Sequence, residues 1–145
     1  MISCGVVAVF AESACASSYS VGTPSTADSY FNQAEREASR GNLSQMGNYQ
    51  QMMAGGSLDM YPEYWQLNKD LDAQPASAIV SFANRYPQTA MAEKLAADYA
   101  ETKARMGDYD AVRQVASYVT NPDASEACAI ALGFNHGGDS MRAYT

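Results

Sequence analysis

Breaks at glycine and proline divide this chain of 145 residues into short segments, and their spacing limits the fold more than any other feature. Gly41 and Gly107 lie 66 residues apart, which is two steps of 33, and Gln74 falls at the midpoint in front of Pro75. Gly138 follows Gly107 by 31 residues. Between the breaks, apolar residues recur at spacings of three and four, and no long stretch alternates as a β-strand does. The pattern therefore predicts short helices joined by tight turns.

The predicted helices cover residues 27–40, 42 or 43 to the Gly55-Gly56 pair, 59–71, 76–85, 89–106, 109–119 and 123–134, with a last one beginning near Asp139. Thr26 is the predicted N-cap of the first helix, Gly41 its left-handed C-cap, and Pro62 lies in the first turn of the third. A period near ~34 residues with two helices in each repeat is typical of tetratricopeptide-like solenoids. We therefore expect an all-α fold, a right-handed α-superhelix of short αα-hairpins. We also expect it to be truncated at the C-terminus, because residues 139–145 stop inside the second helix of a hairpin.

The N-terminal segment differs in composition from the rest, since no Lys or Arg precedes Arg36. Residues 5–11 are apolar, and Ala14-Cys15-Ala16 places small residues as a signal-peptidase site does. Residues 1–16 are thus predicted to be a degenerate export leader. The alternative is an N-terminal extension without a function. Residues 17–25 are small and polar and are predicted to be a flexible linker, and 26–145 are predicted to be the α-superhelical domain.

Charge excludes one class of function and leaves others open. The formal net charge is −7 and no run of Lys or Arg exists, so no nucleic-acid partner is expected. The apolar run at 5–11 is too short to span a bilayer, so no membrane span is expected either. Cys4 and Cys15 fall in the predicted leader, which leaves Cys128 alone. A single cysteine of this kind is either a small buried hydrophobe or, in an exported protein, one that has lost its partner.

No arrangement of residues in the sequence predicts an active site. His136 is the only histidine and has no second ligand at metal-binding spacing, so neither a metal site nor a hydrolase triad is expected. No phosphate-binding glycine loop is present and no cofactor is expected. Glu63, Glu93 and the pair Asp98 and Glu101 are the carboxylates that could serve as a general acid in glycan cleavage, but on helices such groups are usually solvated. Catalytic, cofactor-binding and metal-binding residues are therefore all predicted to be absent.

Residues 60–71, MYPEYWQLNKDL, could form either a sugar-stacking platform or a packing face. Tyr61, Tyr64, Leu67 and Leu71 share one helical face and Trp65 flanks it, which favours packing against a neighbouring helix. Glu63 and Lys69 are expected in water. The aromatic residues Tyr99 and Tyr109 and the methionines at 46, 52, 53 and 60 are expected in the core.

Several motifs together resemble those of a known family. They are Tyr61-Pro62-Glu63-Tyr64-Trp65-Gln66-Leu67, Leu71, Gln74-Pro75-Ala76, Phe82, Tyr86-Pro87, the set Leu95, Tyr99, Gly107 and Tyr109, and Ser125-Glu126-Ala127-Cys128 with Gly138-Asp139 and Ala143. Over residues 26–145, and most strongly over 57–143, the chain resembles the N-terminal α-superhelical region of bacterial soluble lytic murein transglycosylases.

The resemblance implies a periplasmic enzyme that cleaves the MurNAc-GlcNAc linkage of peptidoglycan glycan strands to 1,6-anhydro products. A glutamate in a Glu-Ser pair of a C-terminal lysozyme-like domain does this chemistry in the family. The one Glu-Ser here, Glu12-Ser13, lies in the predicted leader and lacks the surrounding pattern, so the role is not carried onto it. The family also implies a later cysteine as partner for Cys128, and none follows it. The chain is thus expected to be inactive alone and to meet glycan strands as part of its parent enzyme.

A second interpretation comes from the repeat pattern without the resemblance. A stand-alone tetratricopeptide-like adaptor would bind a protein or peptide on its concave face. This alternative predicts a stable monomer that unfolds cooperatively and captures a specific peptide.

Overall fold

The computed structural model describes residues 26–137, and these residues form seven α-helices and one short 3₁₀-helix without any strand. The helices are α1 Thr26–Ser39, α2 Leu43–Met53, α3 Met60–Lys69, α4 Ala76–Arg85, α5 Ala90–Met106, α6 Tyr109–Val115 and α7 Ala124–His136, with the 3₁₀-helix at Ala116–Tyr118. The prediction of an all-α chain is confirmed over this range. The predicted leader at 1–16, the linker at 17–25 and the helix near Asp139 lie outside the described residues.

Local chemistry ends the helices where the sequence predicts. Gly41 and Gly107 adopt φ of +75° and +79°, the left-handed region that glycine enters without steric cost. Thr89 caps α5 by accepting a hydrogen bond from the Ala92 N–H. Asp123 caps α7 in a reciprocal capping box with Glu126.

The sixth helix is shorter than the predicted range 109–119. It ends at Val115, and residues 116–118 tighten into the 3₁₀-helix. Beyond this point the N–H groups of Thr120 and Asn121 donate to the Glu93 carboxylate of α5. In a continuing helix these N–H groups would donate to carbonyl groups one turn earlier in the same helix. Because they donate to Glu93 instead, the chain leaves the helical path at this point.

Helices pack mainly against their neighbours in the sequence. Helix α1 lies along α2, α3 contacts both of them, and α4 packs on α5 and α6. Helix α5 also packs on α6 and α7. Every extensive helix contact within residues 26–137 joins helices one or two places apart in the chain.

Two hydrophobic clusters form the core, and Trp65 packs against both. The larger cluster holds the fully buried side chains of Ile79, Phe82, Leu95, Tyr99, Val112 and Val115. The smaller one centres on Ala34, Met46 and Met53, between α1 and α2. Each fully buried large apolar side chain contributes about 2–3 kcal/mol, so the larger cluster dominates stability. Trp65 connects the N-terminal hairpin to the rest of the molecule.

Several side chains lie differently from the prediction. Tyr99 is buried as expected, but Tyr109 is only half-buried, and its ring stacks on the exposed His136 at 4.1 Å between ring centroids. Met52 is 58% exposed, because its neighbour Met53 occupies the buried side of α2. Lys69 is exposed as predicted.

Helix α7 buries Ala129 and Gly133 against the core, whereas Cys128 and its neighbour Ala127 are exposed. Apolar residues of α7 occur around most of its circumference. The spacing of three and four residues therefore does not identify which face of the helix is buried. The interpretation of Cys128 as a buried hydrophobe is wrong.

Candidate functional site

A groove of about 600 Å³ lies where the end of α4, the start of α5 and the loop after the 3₁₀-helix meet. We call it the Glu93 groove. The buried Ala83 and Ala92 give it an apolar base. Its other lining side chains are mostly amides and hydroxyls: Asn84, Gln88, Thr89, Ser117, Tyr118, Thr120 and Asn121. A concave site with an apolar base and a few convergent polar groups is typical of small-ligand binding.

The carboxylate of Glu93 fixes the loop that forms one wall of the groove. Its Oε1 atom accepts hydrogen bonds from the Asn121 N–H at 2.7 Å, the Thr120 hydroxyl at 2.8 Å and the Thr120 N–H at 2.9 Å. The hydrogen bond from the Asn121 backbone, followed by that from the Thr120 hydroxyl, holds the pKa of Glu93 below its ordinary value. Glu93 therefore stays ionised at neutral pH and lacks the raised pKa that a general acid needs. Its carboxylate holds the loop at residues 120 and 121 in place.

Another part of the lining is held by a second hydrogen bond between distant segments. The Tyr118 hydroxyl donates to the Asn84 side-chain oxygen at 2.9 Å, which connects the 3₁₀-helix to the end of α4. The Asn84 side-chain nitrogen and the Glu93 Oε2 atom make no hydrogen bond within residues 26–137. Both therefore remain available to a ligand.

Gln88 lines the groove with a strained backbone. Its φ is +60°, and it is the one non-glycine residue with positive φ among residues 26–137. This conformation costs an L-residue with a Cβ atom roughly 1 kcal/mol. Such strain is concentrated at binding and catalytic sites. The sequence predicts the helix end at residue 85, and the positive φ follows three residues later.

The other candidate carboxylates do not converge on a catalytic site. Glu63 forms an ion pair with Arg85 of α4, and its side chain is only 18% exposed, so it does not stand in water as predicted. Asp98 pairs with Lys94 one turn away, with 2.8 Å between Nζ and Oδ2. Glu101 is half-buried on the same helix and makes no ion pair in the described region.

Metal ligands are also not brought together in the part of the chain that the structure describes. No group of three or more His, Cys, Asp or Glu side chains in residues 26–137 could hold a metal ion. His136 stacks on Tyr109 with an interplanar angle of 3°.

Two further grooves lie between helices that are next but one in the chain. The first, about 530 Å³, separates α1 from α3 and is bordered by Trp65, Asn68, Lys69 and Glu35. The Trp65 ring packs near Phe31 and Tyr61, at 5.5 and 5.9 Å between ring centroids. This packing is the interpretation that the sequence favoured for residues 60–71.

The second of these grooves, about 350 Å³, separates α5 from α7. It is lined by Ala104, Cys128, Ala129 and Leu132, with Glu101 and Arg105 among its polar residues. Cys128 is a free thiol and Leu132 is 38% exposed.

Among the described residues, no helix combines the length and the apolar character that crossing a membrane requires. No family model, no curated protein and no solved structure matches this chain. The resemblance to lytic transglycosylases therefore rests on the motifs within the sequence.

Proposed function

We propose that this chain is the non-catalytic superhelical region of a periplasmic soluble lytic transglycosylase, where it holds glycan strands of peptidoglycan for a parent enzyme that forms 1,6-anhydro products. The observation that carries the proposal is the packing of each helix against helices one or two places away. Stacked αα-hairpins produce this pattern, because one hairpin cannot bury its own apolar face and adjacent hairpins bury each other's. A right-handed superhelix built this way presents an extended surface suited to a polymer.

The positions of the shared motifs support the same proposal. Pro62 and Tyr64 are buried in α3, and Leu95 and Tyr99 are buried in α5. Gly107 ends α5 in the left-handed conformation. The resemblance thus lies in residues that set the hairpin geometry, as expected of a region whose role is architectural.

A holding role fits the electrostatics better than a cleaving role. Glu93 is kept ionised, and Glu63 and Asp98 are ion-paired with Arg85 and Lys94. All three carboxylates are thus engaged in contacts within the fold.

Incubation with purified peptidoglycan sacculi tests the proposal. After centrifugation we expect the chain in the pellet and no 1,6-anhydro muropeptides in the supernatant. Cellulose serves as the control polymer, because it has the same β-1,4 backbone without acetamido groups. A chain that stays in the supernatant would contradict the holding role, and anhydro products that persist through purification would contradict the non-catalytic one.

The apolar groove between α5 and α7 favours a second candidate, an adaptor that binds a peptide. Exposed Leu132 and Cys128 line a groove bordered by one acidic and one basic side chain, Glu101 and Arg105. Apolar anchors with polar rims are typical of peptide recognition. If the chain is an adaptor, Leu132→Asp should abolish capture of the peptide partner. If the chain holds glycan strands, the same substitution should leave binding to sacculi unchanged.

A further inference from the structure

We infer that the Glu93 groove is a subsite for an N-acetylated sugar residue. The inference rests on the proposed function, since it names the part of the surface where a glycan strand is held. Three features carry it: the hydrogen-bonding character of the lining, the absence of cations there, and the rigidity of the walls.

The hydrogen-bonding groups of the groove match those of a sugar. Asn84, Gln88 and Asn121 carry amides, and Tyr118 carries a hydroxyl, all of which both donate and accept hydrogen bonds. Sugar hydroxyls and acetamido groups have the same dual character. The apolar base formed by Ala83 and Ala92 suits the C–H face of a pyranose ring.

The charge of the groove selects against other common ligands. None of its lining side chains is a lysine or an arginine, and its one ionised group is the Glu93 carboxylate. Phosphates and nucleotides need cationic or charge-assisted donors, which are absent from this lining. The lining therefore favours a neutral ligand with several hydrogen-bonding groups, such as a sugar.

The walls are held in place before any ligand binds. Glu93 fixes residues 120 and 121 through three hydrogen bonds, and Tyr118 fixes Asn84. Glu93 uses only Oε1 for this purpose, so Oε2 can accept a hydrogen bond from a ligand hydroxyl or amide. Preformed walls of this kind lower the entropy lost on binding.

The strained backbone at Gln88 provides an independent observation. Glycine at this position would remove the strain that the Gln88 side chain imposes. The Gln88 amide makes no hydrogen bond within residues 26–137. We assign to it the role of contacting the ligand.

The groove beside Trp65 is a weaker site for a neutral sugar. Its aromatic ring already packs near Phe31 and Tyr61, and its lining includes Arg40 and Lys69. It serves as the internal comparison in the experiment.

The test is a titration of the full chain with the β-1,4 tetramer of N-acetylglucosamine, followed through backbone amide NMR signals. We expect a Kd of about 1 mM, as is usual for a few hydrogen bonds at an open site. Signals of Gln88, Thr120 and Asn121 should shift, and cellotetraose should leave them in place. Shifts confined to residues around Trp65 would overturn the assignment of the site.

Two variants remove side chains that line the groove. Gln88→Gly deletes the side chain and relieves the positive φ. Asn121→Ala removes the hydrogen bond from the Asn121 side chain to the Thr120 hydroxyl but keeps the backbone N–H that donates to Glu93. Each substitution should raise the Kd for the tetramer at least fivefold. The unfolding temperature of Gln88→Gly should equal or exceed that of wild type. Gln51→Ala, on the exposed surface of α2, is the matched control and should bind like wild type. An unchanged Kd in both groove variants would overturn the inference.

The same variants separate this inference from the proposed function. If wild type and groove variants sediment equally with sacculi, the groove is not the subsite and the proposed function stands. If wild type does not sediment, the proposed function fails, and the titration with the tetramer still decides whether the groove binds a sugar.

Discussion

The hydroxyl of Tyr99 on α5 donates a hydrogen bond to the backbone carbonyl of Gln74 at 3.0 Å, across 25 residues of sequence. The neighbouring turn of α5 repeats the contact, because Lys103 Nζ donates to the Asp72 carbonyl at 2.7 Å. Both acceptors lie in the break between α3 and α4. These bonds fix the position of one pair of helices relative to the next, which the apolar packing alone would leave free to slide.

Removing the Tyr99 hydroxyl should destabilise the fold. We expect Tyr99→Phe to lower the free energy of unfolding by about 1–2 kcal/mol, because the Gln74 carbonyl loses its partner. Tyr49→Phe is the control, since the Tyr49 hydroxyl makes no hydrogen bond within residues 26–137. Urea unfolding measures both, and equal stability of the two variants would contradict the account.

Tyr99 also predicts a loss of stability in alkali. Burial raises its pKa from 10.0 to about 12 in the folded protein, so the folded state holds the proton more tightly than the unfolded chain. This contribution is complete below pH 10.0 and is lost as the pH rises towards about 12. Stability measured over this interval should fall more steeply in wild type than in Tyr99→Phe. Identical slopes would show that Tyr99 is not responsible.

The lowered pKa of Glu93 predicts a loss of folding stability in acid. Its pKa is lowered in the folded state, so its contribution is present above the ordinary value of 4.5 and is lost as the pH falls through the folded value. As the pH falls below 4.5, the unfolding temperature should therefore decrease more in wild type than in Glu93→Gln. Glu101→Gln, which removes a carboxylate without hydrogen bonds in the described region, should behave like wild type. An acid response unchanged in Glu93→Gln would contradict the assignment.

Two helical glycines should respond in opposite ways to alanine. A Cβ atom at Gly133 of α7 would lie 2.7 Å from Val112 Cγ1, whereas at Gly47 of α2 it would meet nothing within 4 Å. Gly133→Ala should destabilise by about 1–3 kcal/mol, because α6 and α7 must separate. Gly47→Ala should stabilise by about 0.5–1 kcal/mol through its better helix propensity. Thermal unfolding of the pair gives the comparison, and a stabilising Gly133→Ala would rule out the close packing of α6 on α7.

Exposure of Cys128 predicts a reactive thiol in the folded protein. In a background where Cys4 and Cys15 are serine, a thiol reagent should label Cys128 without denaturant, within about tenfold of its unfolded rate. Cys128→Ser should abolish the labelling. Labelling that requires denaturant would restore the buried interpretation made from the sequence.

The helices could be predicted because their ends depend on neighbouring residues. Gly41, Gly107 and Thr89 act within one turn of the helix they end, so their identity and position suffice. The all-α class and the packing role of residues 60–71 follow from the same periodicity.

The candidate site could not be predicted in this way. Glu63 pairs with Arg85, 22 residues away, and Glu93 accepts a hydrogen bond from Asn121, 28 residues away. The residue spacing within a single helix does not reveal such distant partners, so both carboxylates were predicted to be solvated. The positive φ of Gln88 follows Pro87 in the turn between α4 and α5, a position where Gly or Asn is usual and Gln gives no signal of its own. On α7 an apolar residue stands on nearly every side, so the buried face depends on Val112 and the other residues packed against it.

The central claim is that this helical region holds glycan rather than peptide. The most direct measurement is displacement of the chain from sacculi by two soluble competitors, uncross-linked GlcNAc-MurNAc strands and the stem peptide alone. The account predicts that the glycan strands release the chain and that the peptide does not. Release by the peptide alone would contradict the account and favour the adaptor.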